Sequence, residues 1–330
     1  MIVLPAPSSP PAFLTSTQTF FGNVKFYQDV DRDYFLDYYV PQGTRPVGGW
    51  PCVIAIHGGS FINGDKDFIN SAVYNDIFNS LLDDGIAVIS IQYKLLDAVY
   101  DAIGIPKCIS SAFKNILQIK SNASIFEIDK TKMAYFGVSA GGYISQLLSM
   151  KEFANKGASK GLFTESNLPV CTMSYLPNVT LDVFEQQALG LWANGVTIND
   201  LLDANATFKA NCKRWFSIMG DVDTVEDLNN TKSRRIMNQI SMLSRRLYLP
   251  SNKPLYLIHD KEYIKGDGSD IEKLVHPAYA LEEIKTRYDS NGVECWVFGV
   301  NALAANDNPV PSTPGISMPD AWMKDKLNVT

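Results

Sequence analysis

A short unbroken apolar run, Pro51-Cys52-Val53-Ile54-Ala55-Ile56, constrains this chain most, and it ends in His57-Gly58-Gly59. It is too short for an ordinary helix, and no polar residue marks a solvent-facing side. Such a run predicts a strand buried on both faces of a parallel sheet. The pattern recurs at Ile86–Tyr93, Met133–Val138, Val170–Tyr175, Pro254–Ile258 and Val293–Val300. Helical stretches separate these runs, around Ser71–Leu82, Pro106–Lys120, onward from Ser139, and Pro277–Tyr288. Parallel neighbours need crossover helices, so the fold class is α/β, a doubly wound and mostly parallel sheet. Val24–Val30 and Tyr34–Val40 alternate as a strand pair around the turn Asp31-Arg32-Asp33, and Pro319–Leu327 reads as a closing amphipathic helix.

The rhythm divides the chain. Residues 1–20 are rich in Pro, Ser and Thr and read as an irregular arm. Residues 21–176 and 252–330 form the core, and 177–251 an inserted helical cap carrying Phe184, Leu191, Trp192, Phe208 and Trp215. Within that insertion Arg214–Met219 is a candidate short strand. The chain has 330 residues, 46% of them hydrophobic, enough for a sizeable core. A formal charge of −6 without a long basic run argues against nucleic acid or an anionic membrane as main partner. No apolar run approaches the ~20 residues that span a bilayer, and Met1-Ile2-Val3-Leu4-Pro5 lacks the basic start of a signal peptide. The five cysteines are scattered with no CxxC pair, so neither a zinc site nor a redox pair is expected. Reduced thiols and a cytoplasmic location are the expectation; the oligomeric state stays open.

Two motifs carry chemistry. Gly137-Val138-Ser139-Ala140-Gly141 fits G-x-S-x-G, with an apolar strand running in and a helical pattern running out. That strand–turn–helix setting is what a nucleophile elbow needs, because the serine takes a strained backbone and flanking side chains would crowd the turn. The plainer alternative is a serine capping a helix. His57-Gly58-Gly59 follows the strand two before the elbow strand. Glycine-turn N–H groups at Gly58 and Gly59, joined by that of Ala140, would form an oxyanion hole. His57 reads as an orienting hydrogen bonder of this loop rather than as a base.

These residues resemble the α/β-hydrolase superfamily, and more closely the carboxylesterases and lipases of the His-Gly-Gly type, acetyl and feruloyl esterases among them. The likeness is carried by His57-Gly58-Gly59 with Gly64-Asp65-Lys66, by Gly137–Gly142, and by Pro254–His259, over roughly residues 24 to 300 in element order. It implies an α/β-hydrolase fold and hydrolysis of a small-molecule ester through an acyl-serine on Ser139, with no metal or cofactor. The triad acid should follow the Pro254–Ile258 strand. The register of Glu272-Lys273-Leu274-Val275-His276-Pro277 puts Glu272 there, with Asp270 a close rival; Asp223 in Met219–Asp223 imitates the motif.

The base departs from the family pattern. Its histidine follows the last strand, but this chain has only His57, His259 and His276, and none lies from Asn301 to Thr330. Four alternatives stay open. His276 acts from an unusual position; the chain is a pseudoenzyme that binds a small ligand; the histidine has been substituted at Ala302, Ala304 or Ala305; or Asn301 or Asp307 positions water. The functional expectation is a serine carboxylesterase acting on a smallish, uncharged ester, possible impairment included. A non-catalytic binding protein is the alternative, and a serine peptidase a weaker one.

Overall fold

The computed structural model describes residues 2–14, 18–30, 32–150, 168–177, 180–189, 192, 195–241, 252–259, 279–299 and 319–329. Its centre is β3 (Trp50–Ile56), every residue of which is buried. The side chains alternate between two cores. Cys52, Ile54 and Ile56 join one cluster, while Val53 and Ala55 join the other, on the opposite face. Strand β4 (Ala87–Ile91) does the same, and it pairs with β3 in parallel. A double-sided burial of this kind is why these runs carry no polar alternation.

The sheet has eight strands in the order β1-β2-β4-β3-β5-β6-β7-β8. Strands β1 (Thr19–Gln28) and β2 (Asp33–Val40) form an antiparallel hairpin, and β2 also meets β4 antiparallel. From β4 onward the neighbours are parallel: β3, β5 (Ile128–Val138), β6 (Thr172–Tyr175), β7 (Leu255–His259) and β8 (Cys295–Gly299). Helices α2 (Ile105–Ser121), α3 (Ala140–Ser149) and α9 (Tyr279–Ser290) cover one face through Ile109, Leu147 and Ile284. Helices α1 (Ala72–Asp83) and α10 (Pro319–Lys326) cover the other through Phe78, Leu81, Trp322 and Met323. The sheet is therefore wound on both sides, as the strand–helix alternation requires.

Between β6 and β7 come α4 (Val183–Ala188), α5 (Ile198–Ala204), α6 (Ala206–Trp215), α7 (Val225–Leu228) and α8 (Thr231–Ile240). Local sequence sets their starts. Asp182, Thr197, Asn205 and Asn230 each place a side-chain oxygen on N–H groups of the following first turn. Phe208, Trp215, Leu201 and Trp192 are buried in the same cluster as Ile54 and Ile105.

One expectation needs correction. Arg214–Met219 is no strand: Arg214 and Trp215 end α6, and Ser217 turns the chain at φ 56°. Trp215, Phe216 and Ile218 are buried because a helix end packs there, Trp215 Nε1 donating to the Ser60 carbonyl at 3.0 Å, whereas Met219 is exposed. The described residues before β1 pack on the sheet. Ser8 bridges to Phe20, and Leu14 is buried against the α1 side of the sheet.

Candidate active site

Strands β3 and β5 run side by side with Ile56 opposite Gly137. Both chains consequently leave the sheet at one level, and His57-Gly58 emerges beside Val138-Ser139. The approach is close enough to demand glycine: a Cβ on Gly58 would lie 2.9 Å from the Val138 carbonyl oxygen and 3.1 Å from Ser139 Cβ. Behind the elbow, a Cβ on Gly141 would overlap the carbonyl oxygens of Ile56 and His57, so the first turn of α3 sits directly on the end of β3.

Ser139 has φ 52° and ψ −117°, a sparsely populated region for a residue with a side chain. Such a conformation costs on the order of 1–3 kcal/mol and persists only where its surroundings over-determine it. Here they do. The Ser139 N–H donates to the Tyr175 carbonyl at 2.9 Å, and its own carbonyl accepts the Tyr143 N–H at 2.9 Å. The Gly142 carbonyl accepts from Ser145 Oγ at 2.8 Å, Ser174 Oγ at 3.0 Å and Gln146 Nε2 at 3.1 Å, which fastens α3 to β6. Every residue of α3 is buried, whereas Ser139 is partly exposed. Its side chain makes no capping bond to the helix, contrary to the plain capping alternative.

Among the described residues, no acceptor is paired with the N–H groups of Gly58, Gly59 and Ala140. The carbonyls of the same turn are occupied. His57 Nδ1 lies 2.8 Å from the Gly58 oxygen; since a carbonyl can only accept, Nδ1 carries the hydrogen. Tyr93 Oη donates to the His57 carbonyl at 3.1 Å, and its ring stacks on the imidazole at 4.3 Å between centroids. Burial drives the His57 pKa down to about 4, so the ring is neutral at pH 7 and serves as an orienting donor.

Charges that did not stand out in the sequence lie beneath this turn. Asp37 on β2, Asp65 and Lys66 meet there, with Lys66 and Asp37 both buried. Burial pushes the Asp37 carboxyl above the usual range, partly offset by the Asn23 N–H and Lys66. Burial also acts upward on Asp65, but hydrogen bonds from Gln92 and the Lys66 N–H overcome it and hold the group below its ordinary value. Nothing in the sequence marks this burial: Asp37 falls on the opposite face of β2 from the apolar phase Tyr34, Leu36 and Tyr38, where an alternating strand carries its polar residues.

The candidate acids Glu272 and Asp270, the candidate base His276, and Asn301, Ala302, Ala304, Ala305 and Asp307 lie outside the described residues. Strands β7 and β8 are parallel to β5 and β6 and pair His259 with Gly299, so their carboxyl ends lie at the same end of the sheet as Ser139. Asp223 is exposed and paired with Lys209, on a surface groove of about 340 Å³ that Ala98, Val99 and Lys213 also line. Among the described residues no group of three His, Cys, Asp or Glu side chains gathers as a metal site, and no helix is long and apolar enough to cross a membrane.

A mostly parallel sheet wound on both sides, with a strained serine between β5 and α3 and a glycine turn against it, defines an α/β-hydrolase-fold protein of esterase-like architecture. Residues 36–186 match the BD-FAE family. An AB hydrolase superfamily protein of Schizosaccharomyces pombe is 34% identical over 115 residues, 35% of this chain and 31% of that protein's length. Among solved structures, the butyrate-bound esterase Est2 of Thermogutta terrifontis superposes with a TM-score of 0.58 at 15% identity, over 93% of this chain and 91% of its own. A truncated carbohydrate esterase from gut microbiota gives 0.58 at 21% identity, over 86% and 87%.

Proposed function

We propose that this chain is a serine carboxylester hydrolase in which Ser139 is the nucleophile. The observation that carries the reading is the backbone of Ser139, held at φ 52° and ψ −117° with Gly58 packed against it. Strain of this kind presents Oγ at the head of a helix, where a carbonyl carbon can approach it. Attack forms the Oγ–C bond and turns the carbonyl oxygen into an oxyanion, which the N–H groups of Gly58, Gly59 and Ala140 receive. The alcohol leaves with the proton that the base took from Ser139, and water then cleaves the acyl-serine. The candidate base in this reading is His276, acting from an unusual position with Glu272 or its rival Asp270 to orient it; a base lost at Ala302, Ala304 or Ala305 is the impaired form of the same reading. The butyrate- and propionate-bound structures of the T. terrifontis esterase favour a short, uncharged acyl group.

One observation supports a second reading, a ligand-binding protein on the same fold: residues 277–330 contain no histidine, the place where the resemblance puts the base. Fluorophosphonate labelling separates the two, because rapid labelling needs an activated serine. We expect slow labelling at Ser139, lost in Ser139→Ala and raised by orders of magnitude on placing histidine at Ala302, Ala304 or Ala305. Fast labelling abolished by His276→Ala would instead establish His276 as the base. Residual hydrolysis of an activated acetyl ester, about 10³–10⁴ over water from the oxyanion hole alone, does not count as a working triad. No labelling in any variant, with a short ester analogue still raising Tm, would favour the binding protein.

A further inference from the structure

Gly64-Asp65-Lys66 carries part of the sequence resemblance yet takes no part in the acyl transfer just proposed. Lys66 opens the 3-10 turn Lys66–Asn70 and is only 6% exposed. Its Nζ lies 3.8 Å from Asp37 Oδ1 and 3.7 Å from Asp65 Oδ1. The first contact crosses to β2, and the second stays at the cap of its own turn. Asp37, 5% exposed on β2, also accepts the Asn23 N–H at 2.7 Å. Asp65 Oδ1 accepts the Lys66 N–H at 2.6 Å and Gln92 Nε2 at 2.7 Å. Gln92, just past β4, accepts the Phe35 N–H of β2 on its side-chain oxygen at 3.3 Å and Asn115 Nδ2 of α2 on its carbonyl at 2.7 Å. Ser90 Oγ of β4 donates to the Lys66 carbonyl at 2.5 Å. The next residue after Gln92 is Tyr93, which stacks on His57.

The turn from His57 to Gly64 is thus fastened at both ends. Its entry belongs to β3, and its exit is tied by charge to β2 and by hydrogen bonds to Ser90 of β4 and to Gln92 just past it. Stability is a poor reason for such an arrangement, because the lost hydration of two buried charges offsets most of their attraction. An apolar pair of similar volume would fill the space as well. What it would not do is dictate where the exit of the turn sits.

We propose that Lys66 is a positioning residue for the oxyanion side of the site, its contacts to Asp37 and Asp65 fixing the turn that aims the Gly58 and Gly59 N–H groups. This rests on the hydrolase reading. The direction of those donors matters most when negative charge develops, so a loosened turn lowers kcat and leaves ester binding nearly unchanged.

The test uses the full chain with Asp37→Leu and Lys66→Met combined, which removes both buried charges together. Tm, kcat and KM for p-nitrophenyl acetate, and hydrogen–deuterium exchange of the peptide 57–66 are compared with the parent. The double variant is expected to melt within a few degrees of the parent or above it. Its kcat should fall on the order of 10²-fold with KM within about twofold, and the turn amides should exchange roughly tenfold faster. Unchanged kcat and unchanged exchange in the folded variant overturn the proposal. So does a loss of kcat accompanied by lower Tm and higher KM without faster exchange, the sign of general loosening. If the double variant does not fold, Asp37→Asn keeps the shape and the Asn23 acceptor while removing the charge; its Tm falls because Lys66 stays buried, so the kcat, KM and exchange criteria alone apply to it. If the parent shows no Ser139-dependent turnover, the hydrolase reading fails, and the exchange rates alone decide whether the charges hold the turn.

Discussion

His57 is 1% exposed, so folding strips its ring of water and makes the charged form costly. Burial is the main cause that takes its pKa from 6.5 to about 4; the Gly58 carbonyl, Asp65 and Asp67 pull weakly upward and Lys66 weakly downward. The sign for stability follows. Between pH 6.5 and about 4 the unfolded chain binds this proton and the folded chain does not, so the unfolding free energy rises with pH in that window. The contribution is complete above pH 6.5 and is lost as pH falls toward 4, about 3 kcal/mol in all. His57→Asn keeps a donor for Gly58 and removes the titration. Urea unfolding of both proteins from pH 7 to pH 4 should show the parent losing that much more than the variant, Asp65 being common to both. Parallel pH profiles would mean that the ring is not held neutral. The role of His57 was readable in the sequence because the glycine turn around it is local. That of Lys66 was not: Gly64-Asp65-Lys66 carries the family likeness without telling what the lysine does, and its partner Asp37 lies 29 residues earlier, on β2.

Element boundaries follow the same division between local and distant causes. Strand β3 and the elbow strand were legible because burial on both faces leaves an uninterrupted apolar run. Strand β1 begins at Thr19, five residues before the alternation at Val24 becomes clear, since register shifts between Phe21 and Val24 and between Lys25 and Tyr27 break the period. The Arg214–Met219 segment misled for the converse reason: Trp215, Phe216 and Ile218 are all buried, and a short apolar stretch has no period of its own. Helix α10 shows how much one anchor can do. Trp322 is fully buried against Tyr256, with ring centroids 5.3 Å apart, and its Nε1 donates to Glu294 Oε1 at 2.9 Å. Lys326 pairs with the same carboxylate at 2.7 Å. Trp322→Ala leaves a cavity under a helix of eight residues and strands part of the Glu294 network. It should lower the unfolding free energy by about 3–5 kcal/mol, read from the urea midpoint at constant m-value. A loss below about 1 kcal/mol would show that α10 is not an integral part of the core.

At the scale of the whole molecule, the five cysteines report on how the two faces of the sheet and the helices after β6 hold together. All are buried and free, and burial pushes each thiol well above its ordinary pKa, so almost none is thiolate at pH 7. Cys52, Cys108, Cys212 and Cys295 belong to the cluster under α2 and α3, and Cys171 to the one under α1. Cys212 sits on α6, in the segment whose sequence reads as an inserted cap. Its neighbours Phe208, Trp215 and Leu201 share that cluster with Ile54 and Ile105, so apolar burial ties these helices to the sheet as one body. A segment bound in that way exposes its thiol only when the sheet opens. Pulsed alkylation along a urea series, with each cysteine followed by mass spectrometry, should therefore find all five unreactive in native buffer. The midpoints for Cys212, Cys52 and Cys108 should coincide. A midpoint for Cys212 at distinctly lower urea, with Cys52 still protected, would show instead that the helices between β6 and β7 unfold as a unit of their own and that the shared cluster does not bind them to the sheet.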